Sequence, residues 1–387
     1  MELKQKIGKF SLCGLYEPSK KGETFSLETA SKNNPNWIQN VANLPIYCGE
    51  KYGKIFVNIR GGYLHDNPRP IKKPSIGEDG SADYSNMVEI DWNGRKEPYV
   101  KDEVHYSAFI KVKLDGVEES FLHEYDLVEY LSQNLKPNTP LNIWGDLKWN
   151  YYKGNVNRDF EIKGITDESR GKKIDPEEIP YRATFRQTML LDRNSVGKLD
   201  KAKGTCELNA RIPTRIGKLN GVQLNDVFVL PYKFEFKFPN IEDTKQVKAI
   251  TKKFLKPEKG ITEITFDGEI YESGSTVSAT FDDLSDDIKL LVELGMKTEE
   301  EVLAECSTGS IERRMVCTSI NIRNTKNDDG TNESVIQFFP NAYDKEVFDK
   351  LPPKDGEETK AKTDEEISKE EEDIFGDLFS DDELPFD

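Results

Sequence analysis

The sequence predicts a mainly β protein built from two small barrels and followed by a disordered acidic tail. Three observations lead to this prediction. Apolar and polar residues alternate along several short segments, a helical segment precedes the last strands of each half, and the final residues are largely acidic. Alternation with a period of two is typical of a strand that buries one face. The chain has 387 residues, which is enough for two to three ordinary domains.

The first half contains the clearest strand pattern. Ile55, Val57 and Ile59 form one face, while Phe56 lies among polar residues on the opposite face. The elements predicted for this half are, in order, a strand over 53–60, a strand over 105–114, a helix over 122–135, and closing strands over 141–151 and 156–165. Residues 61–85 show little periodicity, so we expect a long loop there.

This order of elements, with one helix before two closing strands, is that of an OB-fold, a small Greek-key barrel. Gly145 lies inside the first closing strand, where a glycine lets a barrel strand bend sharply. We therefore predict that residues 1–168 form a first OB-fold domain. A polar, charged connector follows over residues 169–180.

The second half follows the same order without repeating the sequence. Its predicted strands cover 183–191, 204–212, 226–238, 263–273, 311–323 and 334–339, and its predicted helices cover 284–294 and 298–306. Residues 181–345 are expected to form a second, OB-like domain, and 346–387 a disordered acidic interaction tail. The predicted fold is thus two OB-like Greek-key barrels with short helices and this tail.

The negative charge is concentrated at the C-terminal end. The net charge is −17, and residues 355–387 contribute 15 acidic residues and three lysines, or −12. The remaining residues therefore carry −17 + 12 = −5. A body with this small net charge can still present a basic groove, so the acidic composition does not exclude a nucleic-acid partner.

Cysteine and histidine usage argues against disulfides and metal sites. The five cysteines are scattered without C-x-x-C spacing, and the three histidines do not lie near them at metal-ligand spacing. No apolar run approaches the ~20 residues that span a bilayer, and the N-terminus resembles no secretory signal. We expect a cytoplasmic protein, in the host-cell cytoplasm if it is phage-encoded, with no cofactor and no membrane partner.

Motifs of common enzymes are missing from the sequence. Neither a phosphate-binding G-x-x-x-x-G-K-[ST] loop nor a G-x-S-x-G nucleophile motif occurs. The acidic pairs at 282–283 and 286–287 could bind Mg²⁺ in a nuclease, but they open a predicted helix, where aspartate is favoured as a cap. We expect a binding protein and no enzyme.

The predicted outer strand faces combine aromatic rings with cations. Single-stranded nucleic acid is bound without sequence preference by rings that stack on bases, at ~1–3 kcal/mol per base, and by cations that neutralise phosphates. The alternative is that each ring is covered by a loop or by the other domain. The candidate nucleic-acid-binding residues are Lys54, Phe56, Arg60, Tyr63, Phe109, Lys111, Lys113, Trp144, Lys148, Trp149, Tyr152, Arg182 and Arg186.

The C-terminal tip carries a short motif of acidic residues followed by Leu384, Pro385 and Phe386. This motif resembles the tip of bacterial and phage single-stranded-DNA-binding proteins, although here Asp387 follows the phenylalanine. The resemblance implies that the tip recruits replication or recombination proteins, such as a polymerase, helicase or primase. The partner-binding residues would be Asp381, Asp382, Glu383, Leu384, Pro385, Phe386 and Asp387. The alternative is a solubilising arm without a partner.

These observations favour sequence-independent binding and protection of single-stranded DNA in replication, recombination and repair. A second hypothesis is a protein-interaction module or DNA-mimicking inhibitor that uses the same barrels and tail. A metal-dependent nuclease is a third. Homo-oligomerisation and the preference for DNA over RNA stay open at this point.

Overall fold

A computed structural model of the protein describes residues 2–18, 24–32, 34–152, 154–219, 222–257, 259–274, 311–326 and 332–353, with the single positions 289, 292, 297, 298 and 302. The described fold is mainly β, as the sequence predicts. Apart from those single positions, the predicted helices over 284–294 and 298–306 lie outside the described residues. Residues 354–387, including the predicted partner-binding tip, also lie outside them.

Ten strands and two α-helices precede the predicted connector. They are β1 (Gly8–Tyr16), β2 (Phe25–Ser31), β3 (Asn34–Tyr47), β4 (Lys54–Leu64), β5 (Ile71–Ile76), β6 (Ala82–Ile90), α1 (Tyr99–Glu103), β7 (Ile110–Leu114), β8 (Val117–Phe121), α2 (Glu124–Asn134), β9 (Pro140–Tyr152) and β10 (Asn155–Thr166).

The remaining described elements are again mostly strands. They are β11 (Glu168–Ser169), β12 (Lys172–Lys173), β13 (Arg182–Leu191), β14 (Val196–Asp200), β15 (Thr205–Leu219), β16 (Val222–Lys237), α3 (Thr244–Ile250), β17 (Ile261–Gly274), β18 (Ile311–Ile320), β19 (Ile322–Lys326), β20 (Asn332–Ile336), β21 (Phe338–Tyr343) and α4 (Lys345–Phe348). A single π-helical turn, Thr251–Leu255, continues α3.

Five strands of the second half pair in a closed circle. The order is β13, β15, β16, β18 and β17, and β17 pairs again with β13. Only β16 and β18 run parallel, while the other four pairings are antiparallel. The segment α3 lies between the third and fourth strands of this circle in chain order. We call these five strands the second circle.

The first half forms a row of strands that continues into the second circle. Its order is β4, β3, β1, β9, β10, β7 and β8, with β7 parallel to β10. Strand β1 pairs with β9 on one edge and with β13 on the other, so one large mixed sheet runs through both halves. The core residues of both halves accordingly belong to one apolar cluster.

The outer edge of β4 is contacted by the end of β17 from the second half. The Glu272 backbone N–H donates to the Tyr52 carbonyl at 3.0 Å, and its carboxylate accepts from the Phe56 N–H at 3.3 Å. The same carboxylate lies 2.5 Å from Nη2 of Arg158 on β10. A buried ion pair from two strands therefore lies where β4 and β10 approach each other.

Helix α2 confirms the predicted helix of the first half. Leu127, Val128 and Leu131 are fully buried, as their helical spacing predicts. His123 caps the helix by accepting a hydrogen bond from the Tyr125 N–H at 3.1 Å. The helix packs against β3 and β4 and so covers one face of this strand pair.

Two predictions for residues 61–114 are wrong. Residues 61–85 are no loop, because β4 extends to Leu64 and β5 and β6 form a hairpin. A register shift after Pro74 interrupts the alternation of this hairpin and hides it in the sequence. Residues 105–114 are not one strand, because a 3₁₀ turn over Tyr106–Ala108 precedes β7.

The folded body extends further than predicted. Residues 346–353 were expected to begin the disordered tail, but α4 lies there and packs on the second circle. Val347 and Phe348 join an apolar cluster with Leu190 and Val229. The Val229 N–H also donates to the Lys350 carbonyl at 2.9 Å. Within the described residues, no helix is both long enough and apolar enough to cross a membrane.

Candidate nucleic-acid interface

The outer face of β3 and β4 brings rings and cations together. The antiparallel register places Tyr47 opposite Lys54, Pro45 opposite Phe56, and Val41 opposite Arg60. These side chains share one face because the intervening residues, such as Ile55 and Val57, are fully buried on the other. We call this surface the β3–β4 outer face.

The aromatic rings of this face are partly exposed. Phe56 and Tyr47 are both half-buried and are diagonal neighbours across the strand pair. The Tyr47 ring meets the edge of Tyr181 at a centroid distance of 5.7 Å, and Tyr181 is 40% exposed. These contacts hold Tyr47 in place while leaving ring surface accessible, which is the arrangement that base stacking requires.

Trp37 extends the same face and was missed by the sequence reasoning. It is half-buried on β3 and lies over Gly62 of β4, where a Cβ atom would come within 2.8 Å of the indole ring. The tryptophan can approach β4 this closely because position 62 lacks a side chain. Trp37 lies in an alternating strand with apolar neighbours, a pattern that could have identified it.

The two cations of the face differ in their surroundings. The Lys54 ammonium lies 2.8 Å from the Glu17 carboxylate, and both side chains are partly exposed. Arg60 is exposed and has no ion-pair partner among the residues that the structure describes. An exposed ion pair such as that of Lys54 contributes little free energy, so a phosphate can compete for the lysine.

Tyr63 belongs to an aromatic cluster behind this face. Its ring stacks on Trp92 at 4.6 Å, and the Arg95 guanidinium lies 3.9 Å from the Trp92 ring. Arg95 also makes two hydrogen bonds to the Asp126 carboxylate, at 2.7 and 2.8 Å. Because its ring is engaged in this cluster, Tyr63 is better explained as a packing residue than as a base-stacking one.

Two of the predicted ring contacts are wrong. Phe109 is 8% exposed and packs in a small cluster with Ile90 and Val104. Trp149 is 4% exposed in the main core, where its Nε1–H donates to the Gln187 side chain at 2.9 Å. Neither ring can stack on a base.

The structure explains both errors. Trp149 has the same strand parity as the buried residues Ile143 and Leu147, so the alternation itself indicates an inward orientation. Phe109 lies just after the 3₁₀ turn, where the alternation of β7 has not yet begun. Within one continuous strand, odd and even positions therefore indicate which face of the sheet a side chain occupies. This alternation cannot be extended across a turn.

A second predicted group lies on the outer face of β9, β1 and β13. Trp144 is half-buried and covers Gly164 of β10. Lys148 pairs with Glu161, and Arg186 lies 2.8 Å from the Asp267 carboxylate. Burial and the neighbouring Lys163 ammonium lower the pKa of Lys148.

Further contacts make this second face nearly charge-balanced. Lys9 lies 2.8 Å from the Asp146 carboxylate, in the row of residues that also includes Arg186. Arg182 donates from Nη2 to the Asn142 side chain at 3.1 Å. Cations that already have such partners bind an incoming phosphate more weakly than an unpaired cation does.

The remaining predicted residues lie apart from both faces. Lys111 lies 5.0 Å from the Tyr106 ring, and Lys113 contacts Glu118 at 3.1 Å and Glu168 at 3.0 Å. Hydrogen bonds to these two carboxylates raise the pKa of Lys113. Tyr152 is 62% exposed at the turn between β9 and β10. The structure thus distributes the predicted residues over several surfaces.

The most basic segment of the body was also missed. Residues 244–257 contain five lysines and no acidic residue. Asp243 caps α3 by accepting from the backbone N–H groups of Lys245 and Gln246, both at 3.0 Å. Lys248, Lys252 and Lys256 recur every four residues, a spacing that predicts one basic helix face from sequence alone.

These lysines line a groove with the turn between β13 and β14. Its volume is about 630 Å³. Arg193 contributes a fourth cation, while Val247 and Pro257 provide apolar surface. We call it the basic groove.

The described residues contain no cluster of three or more histidine, cysteine or acidic side chains that could hold a metal ion. The described cysteines are all buried, and burial raises the pKa of each thiol, which reduces its reactivity. A comparison of the chain with protein-family models gives no match, and neither does a comparison with curated proteins.

Proposed function

We propose that the protein binds single-stranded DNA without sequence preference and protects it during replication or recombination. The observation that carries the proposal is the β3–β4 outer face, where Phe56 and Tyr47 lie beside Lys54 and Arg60. Stacking surface and phosphate-neutralising charge on one curved sheet are the two requirements for this kind of binding.

The strand order supports two OB-like barrels within this proposal. The second circle closes with five strands. Counted in chain order, its third and fifth strands, β16 and β18, run parallel, and helix α3 precedes its fourth strand, β17. Strands β1, β3, β4, β9 and β10 take the corresponding positions in the first half. The β3–β4 outer face then corresponds to the second and third strands, the face with which OB-folds bind oligonucleotides.

The corresponding face of the second circle is occupied by the chain itself. Phe348 of α4 lies 5.0 Å from the Arg211 guanidinium on β15, and Lys350 contacts Asp226 on β16 at 2.8 Å. Burial lowers the pKa of Arg211 beneath this segment. We therefore assign DNA contact to the first half and a supporting role to the second.

The acidic tip completes the proposal. The carboxylates of residues 381–383 steer the chain toward a basic partner surface, and Leu384 and Phe386 provide apolar anchors. The partners would be proteins of replication or recombination, as the resemblance of the tip implies. In this scheme the barrels hold the strand while the tip recruits a polymerase, helicase or primase.

The test is the binding of a fluorescent oligo-dT to the full chain at two salt concentrations, measured by anisotropy. We expect binding that weakens as salt rises, because bound phosphates release counterions. Unlabelled duplex DNA should compete poorly, and single-stranded RNA measures the preference for DNA. A protein-interaction module would leave oligo-dT unbound at both salt concentrations, and this result would overturn the proposal.

A further inference from the structure

The large sheet ends in two strands that each have one unpaired edge. Its strand order begins with β14 and finishes with β8. Among the described strands, β14 pairs only with β15, and β8 pairs only with β7. Each of the two strands therefore has an edge whose backbone N–H and C=O groups point away from the sheet. Such an edge can pair with a strand of another chain.

The side chains at these two edges are largely exposed. Val117 of β8 is 53% exposed, and Leu199 of β14 is 40% exposed. Both are apolar residues with charged neighbours. An exposed apolar side chain on an unpaired strand favours pairing with a further strand.

The two edges carry opposite charges. Glu118 and Glu119 are exposed on β8, whereas Lys198 is exposed on β14 and Lys201 directly after it. Pairing of two β8 edges would bring acidic side chains together, and pairing of two β14 edges would bring lysines together. Like charges directly opposite each other destabilise a strand pair. Charge complementarity therefore selects β8 of one copy and β14 of another.

One antiparallel register matches the charged and the apolar positions together. Its facing pairs are Asp115–Lys201, Gly116–Asp200, Val117–Leu199 and Glu118–Lys198. Two pairs of opposite charge thus flank one apolar pair, and the single acidic residue of β14 faces a glycine. A parallel pairing with Glu118 opposite Lys198 would place Glu119 opposite Leu199, so it would lose the apolar pair. The antiparallel pairing is therefore favoured.

The two acidic residues of this register already have cationic neighbours. Asp115 contacts Lys136 at 3.2 Å and Lys173 at 2.7 Å, and Glu118 contacts Lys113 at 3.1 Å. The side chains of Asp115 and Glu118 are still 58% and 72% exposed. Because exposed ion pairs contribute little free energy, these contacts do not prevent a lysine of another copy from approaching.

We propose that copies of this chain associate end to end, with β8 of one copy pairing antiparallel with β14 of the next. Because the contact joins two different surfaces, a dimer keeps one free β8 and one free β14, so that growth continues as a chain or closes as a ring. Two five-residue strands form a small contact, so the association should be weak and concentration-dependent. It needs no nucleic acid and stands whether or not the β3–β4 outer face binds DNA.

The test is sedimentation velocity of the full chain without DNA over a range of concentrations. We expect the average sedimentation coefficient to rise with concentration. Glu118→Lys and Lys198→Glu each turn the facing pair of opposite charges into a pair of like charges. Either variant alone should therefore associate about tenfold more weakly than wild type.

An equimolar mixture of these two variants should recover the association, because the two reversed charges attract each other again. This recovery would also show that both variants are folded. Lys101→Glu, at an exposed position on α1, makes the same change in charge as Lys198→Glu and should associate like wild type. A wild-type chain that stays monomeric at every concentration would overturn the proposal. Association that is unchanged in both charge-reversal variants would do so as well.

A disulfide tests the register. Val117→Cys and Leu199→Cys place thiols at directly opposite positions of the proposed pairing, close enough for a disulfide. In the presence of oxidised glutathione, a mixture of the two variants should give a covalent dimer. A mixture of Val117→Cys with Lys218→Cys, at an exposed position elsewhere on the body, is the control and should not.

Two outcomes of the disulfide experiment count against the proposal. A covalent dimer of Val117→Cys with itself would show that two β8 edges pair, and no covalent dimer in the mixture would contradict the proposed register. A protein that binds no oligo-dT but associates in this way would contradict only the proposed function. A protein that binds oligo-dT as a monomer would contradict only the association.

Discussion

Phe56 is half-buried in the middle of the β3–β4 outer face, and its role can be tested by removing the ring alone. We expect Phe56→Ala to weaken oligo-dT binding by about tenfold, because one stacked base contributes ~1–3 kcal/mol. The salt dependence should change little, since no cation is lost. Anisotropy titrations at two salt concentrations measure both quantities.

The control for this variant is Phe339→Ala, which removes a ring that is 42% exposed on β21. It should leave oligo-dT affinity unchanged. Equal losses in the two variants would show that the β3–β4 outer face has no special role.

Arg158 and Glu272 form the most deeply buried ion pair described, with side chains that are 7% and 2% exposed. Arg158→Ala leaves the Glu272 carboxylate buried with weaker compensation from Arg313, which lies 3.7 Å away. Removing one partner of such a pair costs about 3–5 kcal/mol in the free energy of unfolding. Urea unfolding measures this loss.

Lys72→Ala is the comparison, because Lys72 and Glu89 form an exposed pair at 2.6 Å. Its effect on the free energy of unfolding should stay within about 0.5 kcal/mol. A similarly small loss for Arg158→Ala would show that the buried pair is not needed between β4 and β10.

The Glu269 carboxylate lies at the contact between the two halves, and its ionisation makes the free energy of unfolding depend on pH. Burial opposes its charged form, but hydrogen bonds from Lys51, Tyr271 and Tyr52 hold the pKa of Glu269 below its ordinary value of 4.5. A carboxylate with a lowered folded-state pKa stabilises the fold above its unfolded-state pKa. That contribution should be lost as the pH falls below 4.5 and through the lower folded-state pKa.

Urea unfolding of wild type and Glu269→Gln from neutral to acidic pH tests this linkage. The variant should be less stable than wild type at neutral pH, and the difference should shrink as the pH falls. Glu97→Gln, at an exposed position, provides the control. A difference that stays constant with pH would contradict the argument.

At the scale of elements, the cap of α3 sets the geometry of the basic groove. Asp243→Ala removes an acceptor for two backbone N–H groups, which typically costs about 1 kcal/mol of helix stability. Amide hydrogen exchange over residues 245–255 should therefore accelerate. Glu242→Ala, at the neighbouring position, should leave that exchange unchanged.

The elements differ in how well the sequence predicts them. Strands β9, β10, β13 and β17 and helix α2 lie close to their predicted bounds, because their apolar periodicity is long and uninterrupted. The β5–β6 hairpin was missed because a register shift and Pro74 break its alternation. Helix α3 was missed because only part of its surface packs on the body and its lysines mask the apolar spacing.

The candidate site was predicted only in part, for a related reason. The Phe56 and Arg60 positions follow from the parity of a single strand, and the structure places both on the outer face of β4. Tyr47 and Tyr181, in contrast, come from strand β3 and from the start of β13, so only the fold brings them together. Ion pairs such as Lys148–Glu161 also depend on strand register, which sequence periodicity does not fix.

At the scale of the whole molecule, β1 couples the two halves through ladders on both of its edges. All four tryptophans, at positions 37, 92, 144 and 149, lie in the first half. Trp149 also contacts Tyr232 and Phe234 of the second half, so tryptophan fluorescence is weighted toward the first half and toward its contact with the second, whereas far-ultraviolet circular dichroism follows the strands of both. We expect the two urea unfolding curves to coincide, because one shared strand and the Glu272 contacts make unfolding cooperative.

A mutation in the shared contact sharpens this test. Arg158→Ala weakens the contact between β10 and β17, so it should separate the two unfolding curves if the halves can unfold independently. Curves that are already separated in the wild type would show two independent units in spite of the shared strand.

The position of α4 has a consequence for synthesis of the protein. Residues 338–353 cover apolar side chains such as Leu190 and Val229, yet they are translated last among the residues that the structure describes. On the ribosome, this patch stays uncovered until those residues emerge from the exit tunnel.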